Sequence, residues 1–323
     1  MEKVVLVGGS TPMQRVLSEI SRFDNLEWCG LFTPFGEGRE IRRKAEELKV
    51  KLFDIELLKR REGLELLAGH TPDWLLNINS TFIFPKSVLD IPRKGCLNMH
   101  PGKLPEYAGM HVNQWAIRND EKFAGATLHW MESRIDAGQI CYQEEFPVLP
   151  CDTGLSVFMK AMNAGTRLAI KALTEISAGR SLPRIEQDLS RRKIFLIKDS
   201  KEGFIDWGQS SKAICNFVRA ADYAPFKSPT YSPEALVHGR RIYIRKVRHK
   251  ELDEFKDAVS LPHDLLSPPG TVVEVCPAGV IVRVGSNEFL EIQKVEFDSR
   301  LYENEEIARS LGLALGDQFA RHK

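Results

Sequence analysis

Val4-Val5-Leu6-Val7-Gly8-Gly9-Ser10-Thr11-Pro12 sets four aliphatic residues, two glycines and a small polar run ending in proline near the start of the chain. A short unbroken run of β-branched and aliphatic residues specifies a buried strand, and the glycines turn the chain out of it. Apolar residues at helical spacing from Met13 to Phe23 then predict a helix. The rhythm continues downstream. Residues 26–33 read as a second strand, 40–48 as a charged helix and 51–53 as a short third strand, while 74–78 and 96–100 supply two more. Such runs, bounded by turns and alternating with helices, predict an α/β fold with a doubly wound, mostly parallel sheet. Its ligand crevice lies beyond the carboxyl ends of the strands.

Further along, 124–131 and 139–148 read as strands, and a long helix over 154–178 closes an amino-terminal catalytic-type domain spanning 1–180. The basic, proline-containing texture after Gly179 predicts a linker over 181–205. A helix near 210–221 and short β-type runs at 241–247, 271–275, 280–284 and 289–292 predict a smaller, OB-like β domain over 206–323.

Composition agrees with two soluble domains: 323 residues, 43% hydrophobic and 28% charged. Forty-five Lys plus Arg against forty-four Asp plus Glu leave a net charge of +1, so no global field attracts nucleic acid or an anionic membrane. The longest apolar runs fall far below the ~18 residues of a membrane span. With no basic n-region or cleavage site after Met1, the chain reads as cytoplasmic. Cys29, Cys96, Cys141, Cys151, Cys215 and Cys276 stand singly, without C-x-x-C or a His pair at ligand spacing, so neither a disulfide framework nor a metal site is expected.

One block concentrates the reactive residues: Asn98-Met99-His100-Pro101-Gly102-Lys103-Leu104-Pro105-Glu106-Tyr107-Ala108-Gly109, with Ser133-Arg134-Ile135-Asp136-Ala137-Gly138 downstream. Asn98 and His100, two apart on a strand, point to one face, and the Pro and Gly after them bend the chain away. Asp136, on a glycine-containing loop between two later strands, can approach His100 and hold it charged or oriented. Both His100 and Asp136 are expected to face an open, solvent-filled crevice.

The pattern Asn-x-His-Pro, Leu-Pro-x-Tyr, Trp115-Ala116-Ile117, Gly125-Ala126-Thr127 and Asp136-x-Gly138 resembles the 10-formyltetrahydrofolate-dependent formyltransferase family. Ile205-Asp206-Trp207, Val218-Arg219-Ala220 and Pro269-Gly270-Thr271-Val272 extend the resemblance into the linker and carboxyl-terminal domain of methionyl-tRNA and sugar formyltransferases. The resemblance implies an enzyme with 10-formyltetrahydrofolate as co-substrate and Asn98, His100 and Asp136 as its catalytic residues. Attack of an amine on a formyl carbon builds an oxyanion that an Asn donor beside a protonated His would stabilise. Asp136, His100 or a bridging water would relay the proton. By the same resemblance Phe82, Ile83, Phe84 and Pro85 contact the folate pterin, a role that a flat apolar slot with backbone groups suits.

The acceptor is read from what surrounds this block. Gly102-Lys103 stands where Ser-Leu is usual in the family, and Ala108 where Arg is usual; by the resemblance these departures lie on the acceptor side of the crevice and leave the identity of the amine open, with Lys103 and Tyr107 as candidate substrate residues. Methionyl-tRNA formyltransferases carry a long basic insertion after the second strand, whereas here Pro34 to Arg39 is short. Gly36-Glu37-Gly38 lacks the third glycine of a nicotinamide fingerprint. The basic residues Arg240, Arg241, Arg245, Lys246, Arg248 and Lys250 alternate along one strand and read as a solvated face more than a tRNA contact. The ending Ile307-Ala308-Arg309-Ser310-Leu311-Gly312-Leu313, with Gly316-Asp317, looks like sugar N-formyltransferases and points to a nucleotide-linked amino sugar, with Ser10 in the glycine turn as a candidate for meeting its sugar or phosphate. Methionyl-tRNA is the alternative acceptor. A formyltetrahydrofolate hydrolase and a non-catalytic binding module rank below both, and a homodimer through the β domain is compatible with the reading.

Overall fold

The computed structural model of the protein describes residues 1–34, 36, 38–251 and 267–320, so Glu37 of the Gly36-Glu37-Gly38 turn lies outside the described residues. The chain divides into two compact units. The first comprises 1–112, 123–147 and 158–195, and the second 113–122, 148–157 and 196–323. The border at 195 falls inside the stretch expected to be a linker, and residues 183–195 belong to the first unit.

In the first unit β1 (Glu2–Gly8) pairs in parallel with β2 (Leu26–Thr33) on one side and β4 (Trp74–Ile78) on the other. Parallel pairing continues from β2 to β3 (Leu52–Asp54) and from β4 to β5 (Gly95–His100). Beyond β5 the sheet turns antiparallel through β7 (Phe123–Trp130) and β8 (Ile140–Pro147), giving the order β3-β2-β1-β4-β5-β7-β8. The intervening β6 (Ala108–Gly109) stands outside this sheet.

The aliphatic run of β1 is unbroken because both its faces are covered. Val4 and Leu6 join a core with α1 (Ser10–Glu19), α2 (Arg39–Glu47) and residues 162–176 of α6 (Gly154–Ser177). Val5 and Val7 join another with Phe32, Leu58, Leu67, Phe84 and Val88. Alternation of side chains along a strand sends successive residues to opposite faces, so a doubly covered strand must be apolar at every position. At the end of β1, Gly8 sits at φ +130 with its Cα against the Ile78 carbonyl, where a Cβ would collide.

Four helices went unread in the sequence: α3 (Arg61–Gly69), α4 (Lys86–Leu89), α5 (Val112–Arg118) and the last helix of the described chain, Glu305–Leu311. In α3 a glycine sits in the first turn, which lowers helix propensity. Gly63 is required there because a Cβ would run into the Leu57 carbonyl.

The second unit is built on a six-stranded antiparallel sheet: β10 (Glu234–Val237), β11 (Arg240–Lys250), β14 (Phe289–Phe297), β13 (Gly279–Arg283) and β12 (Val272–Cys276) in that order, with β15 (Arg300–Glu303) on β14. α7 (Ser211–Ala220), whose Ser210 cap accepts from the Ala213 amide, and α8 (Glu305–Leu311) cover it. Trp207, Ile214, Ile242, Val282, Ile292 and Phe319 form its core. The end of the described chain joins the two edges: Ala320 bridges Leu236 on β10, and Gln318 bridges Thr271 beside β12.

Candidate active site

The carboxyl ends of β4, β5 and β7 bring three polar side chains into one lateral row, because Asn77 is in register with Asn98, and Asn98 with His129. Asn77 Nδ2 donates to Asn98 Oδ1 at 2.7 Å and to the Ser80 carbonyl at 3.3 Å. That bond fixes which way the Asn98 amide faces. Asn98 Oδ1 turns to β4, so its Nδ2 faces the other way, 3.0 Å from His129 Nε2 and 3.5 Å from Asp136 Oδ1.

His129 Nδ1 lies 2.8 Å from the Trp130 carbonyl, which only accepts, so that nitrogen carries a proton. Its Nε2, 3.3 Å from Asp136 Oδ1, accepts from Asn98 when neutral and donates to Asp136 when charged. His100 Nε2 lies 2.6 Å from the Tyr107 carbonyl, and its Nδ1 is 3.5 Å from Asp136 Oδ2. Both ring nitrogens of His100 therefore face acceptors.

Asp136 sits at φ +51 on the loop between β7 and β8. Its Oδ2 also accepts from the Gly109 amide at 2.8 Å. The structure brings Asn98, His100 and Asp136 together as expected, but not in an open crevice: His100 is 4% exposed and Asp136 8%. The difference arises from the covering segment 183–195 and the Tyr107 carbonyl, neither of which a local reading places over the strand ends. Asn98 is the half-buried member of the group.

Burial opposes ionisation of Asp136. The charge of His100, the hydrogen bond and charge of His129 and the Gly109 amide together outweigh it and hold the carboxyl well below the usual carboxylate range. The unfolded carboxyl titrates near ~4, so the unfolded chain takes up this proton first as pH falls. The stabilisation from Asp136 is then whole above that value and is lost on acidification below it. Thermal melts of Asp136→Asn beside the parent are expected to show a gap that narrows as pH drops from about 5 to about 3.5. A gap that widens over that range would contradict the ionised pairing.

The other sequence-predicted residues are placed as follows. Phe82 is half-buried, edge-on to Phe84 at 4.9 Å, with its amide donating to Ser80 Oγ at 3.0 Å. Ile83 projects outward at 73% exposure, while Phe84 is buried in the core and Pro85 caps α4. Of this loop, Phe82, Ile83 and the backbone remain available to a ligand. Ser10 lies at φ +57, its hydroxyl accepting from Asn79 Nδ2 at 2.7 Å. Lys103 Nζ pairs with Glu145 at 2.9 Å on β8. Tyr107 is buried with its ring stacked on Phe195 at 5.4 Å, so its carbonyl is what meets His100. On β11, Arg241, Arg245 and Arg248 pair with Glu234, Glu296 and Glu291. Among the described residues no group of three or more His, Cys, Asp or Glu is arranged to hold a metal, and no helix is long and apolar enough to cross a membrane.

Residues 39–173 match the family described as formyl transferase, and residues 198–311 match the formyl transferase C-terminal domain. The chain belongs to the formyl transferase family. Its chemistry is formyl transfer. This formyl transferase is 27% identical over 308 residues to the methionyl-tRNA formyltransferase of Clostridium novyi (strain NT), covering 92% of this chain and 93% of that one. It is 29% identical to the methionyl-tRNA formyltransferase of Methylacidiphilum infernorum (isolate V4), with 88% and 86% covered. Its fold is similar to that of the N-formyltransferase from Helicobacter canadensis in complex with folinic acid and dTDP-3-aminofucose. The TM-score is 0.64 at 17% identity, with 91% of this chain and 99% of that one covered. It is also similar in fold to a 4-N formyltransferase from Francisella tularensis, at TM-score 0.60 and 22% identity over 76% of this chain and 97% of that one.

Asn77 and His129 escaped the sequence reading of this formyl transferase. Asn77 is the one polar residue of an otherwise apolar buried strand, and His129 is, with Thr127, one of two in β7; those interruptions are the signal that marks them.

Proposed function

We propose that this formyl transferase moves the formyl group of 10-formyltetrahydrofolate onto the primary amine of a nucleotide-linked amino sugar. The observation that carries the chemistry is the grouping of half-buried Asn98 with buried His100 and Asp136 and its fixed amide orientation. Exposed Ile83, half-buried Phe82 and the backbone of their loop, tied to Asn77 through Ser80, fit the apolar slot and backbone groups that a pterin needs.

When bound, 10-formyltetrahydrofolate supplies an electrophilic formyl carbon and a nitrogen leaving group. Asn98 Nδ2, on a half-buried side chain whose amide orientation is fixed by Asn77, can donate to an oxygen gaining negative charge. His100 is held beside it between the Tyr107 carbonyl and Asp136. Asp136 stays ionised, so it can hold His100 charged; the attacking amine gives up a proton to Asp136, to a water or to His100 in its neutral form, and the folate nitrogen gains a proton by the same relay as its bond to the formyl carbon breaks.

Two features support a small acceptor: the short connection from Thr33 to Arg39, and the carboxylates that neutralise Arg241, Arg245 and Arg248. The nearly full-length likeness to methionyl-tRNA formyltransferases favours the second reading, methionyl-tRNA as acceptor. Formyl transfer from 10-formyltetrahydrofolate, offered nucleotide-linked amino sugars, charged initiator methionyl-tRNA, or no acceptor, separates the two. Turnover with a sugar is the expected result. Turnover with the tRNA alone replaces the acceptor, and deformylation without any acceptor makes water the acceptor and ends the proposal.

A further inference from the structure

Residues 183–195 lie outside both family matches, yet they make a dense set of bonds to the loop carrying Asp136. Gln187 Nε2 donates to the Asp136 carbonyl at 3.1 Å and to the Gly138 carbonyl at 2.6 Å, holding the loop on the carboxyl-terminal side of Asp136. Arg192 Nη2 donates to the Ile135 carbonyl at 2.6 Å. Ile185 exchanges backbone bonds with Ile140, and the Trp130 indole donates to the Pro183 carbonyl at 2.8 Å.

The carboxylate is held from the same segment by a second route. β9 (Ile194–Phe195) pairs with β6: the Ala108 amide donates to the Lys193 carbonyl at 3.0 Å and the Met110 amide to the Phe195 carbonyl at 2.8 Å. With its neighbours so fixed, the Gly109 amide points at Asp136 Oδ2. Gly109 has φ +93 and lies against the Phe195 carbonyl, where a Cβ would collide. A left-handed aspartate persists only where its surroundings over-determine it, and here the surroundings are this strap.

We propose that residues 183–195 form a strap that positions the Asp136 carboxylate, with Gln187 as its principal positioning residue, an inference that rests on the formyl-transfer reading of the site. The two donors of Gln187 set the backbone of the loop, and β9 sets the amide that receives the carboxylate. Loosening either moves Asp136 relative to His100 and His129 without removing any of them.

The test uses the full chain. Gln187→Leu removes both donors at similar bulk, Gln187→Glu keeps the shape without a donor, and Gln187→Lys keeps a donor. Turnover is expected to fall by about 10- to 100-fold in the Leu and Glu variants and less in the Lys variant, with KM for both substrates unchanged. Amide hydrogen exchange is expected to speed up at residues 131–139 and at Gly109, with the rest of the first unit unaltered. Parental turnover in Gln187→Glu, unchanged exchange in Gln187→Leu, or a loss that only tracks the melting temperature would each overturn the strap. Faster exchange in a protein that transfers formyl to no acceptor would leave the strap standing and remove the proposed function instead.

Discussion

Alanine in place of Asn98 or His100 is expected to cut formyl transfer by about 10²- to 10⁴-fold, the range for losing an oxyanion donor or a positioned acid–base group. Asn98→Ala is the cleaner variant because Asn98 is half-buried. It leaves His129 and Asp136 facing each other at 3.3 Å, so the fold should melt near the parent. Asn77→Leu predicts a smaller loss by a different route: the Asn98 amide remains, but nothing fixes which end faces the substrate. In Asp136→Ala, by contrast, His100, His129 and the Gly109 amide lose a shared partner inside the protein, and a drop of about 1–3 kcal/mol in stability accompanies the lost turnover. Transfer rates and melting temperatures on the same preparations check all four variants. Near-parental activity in Asn98→Ala would remove that residue from the chemistry.

Gly102→Ala is expected to lower turnover on the order of 100-fold without touching any reactive group. An ideal Cβ at this position stands 2.5 Å from His100 Nε2, 2.6 Å from the Tyr107 carbonyl oxygen and 2.8 Å from Val112 Cγ2. None of the three can retreat freely. The imidazole is held between that carbonyl and Asp136, Tyr107 is stacked on Phe195, and Val112 is buried. The added methyl therefore enters between the ring and its 2.6 Å partner. Glycine at 102 is what this arrangement of His100 requires. A Gly102→Ala enzyme with parental kcat would show that the bond from His100 to the Tyr107 carbonyl does not matter to the reaction.

The strands of the first sheet were legible because burial on two faces writes an unbroken apolar run into consecutive residues, as in Val4 to Val7. Asn98 and His100 were legible for a similar reason, two residues apart on one strand with a Pro-Gly stop after them. Asn77 and His129 belong to the same row, but their membership depends on the lateral register of β4, β5 and β7, a relation between distant segments that no window along the chain contains. Gln187 is further removed still: a glutamine in a basic, proline-bearing stretch has the texture of a linker, and only its two bonds to the Asp136 loop reveal otherwise. The division into compact units follows relations of the same kind. Residues 113–122 and 148–157 join the second unit through contacts with residues far later in the chain.

Ala320 and Gln318 are the residues that join β10 to the neighbourhood of β12. Synthesis runs from the amino terminus, so on the ribosome every other strand of that sheet is available before its fastening arrives. Until then two strand edges offer unpaired amides and carbonyls to any other nascent chain. The second unit is thus a ring whose clasp follows all of its strands, and a chain cut before Gln318 would carry every strand but neither bridge, and would lack the buried ring of Phe319 between them.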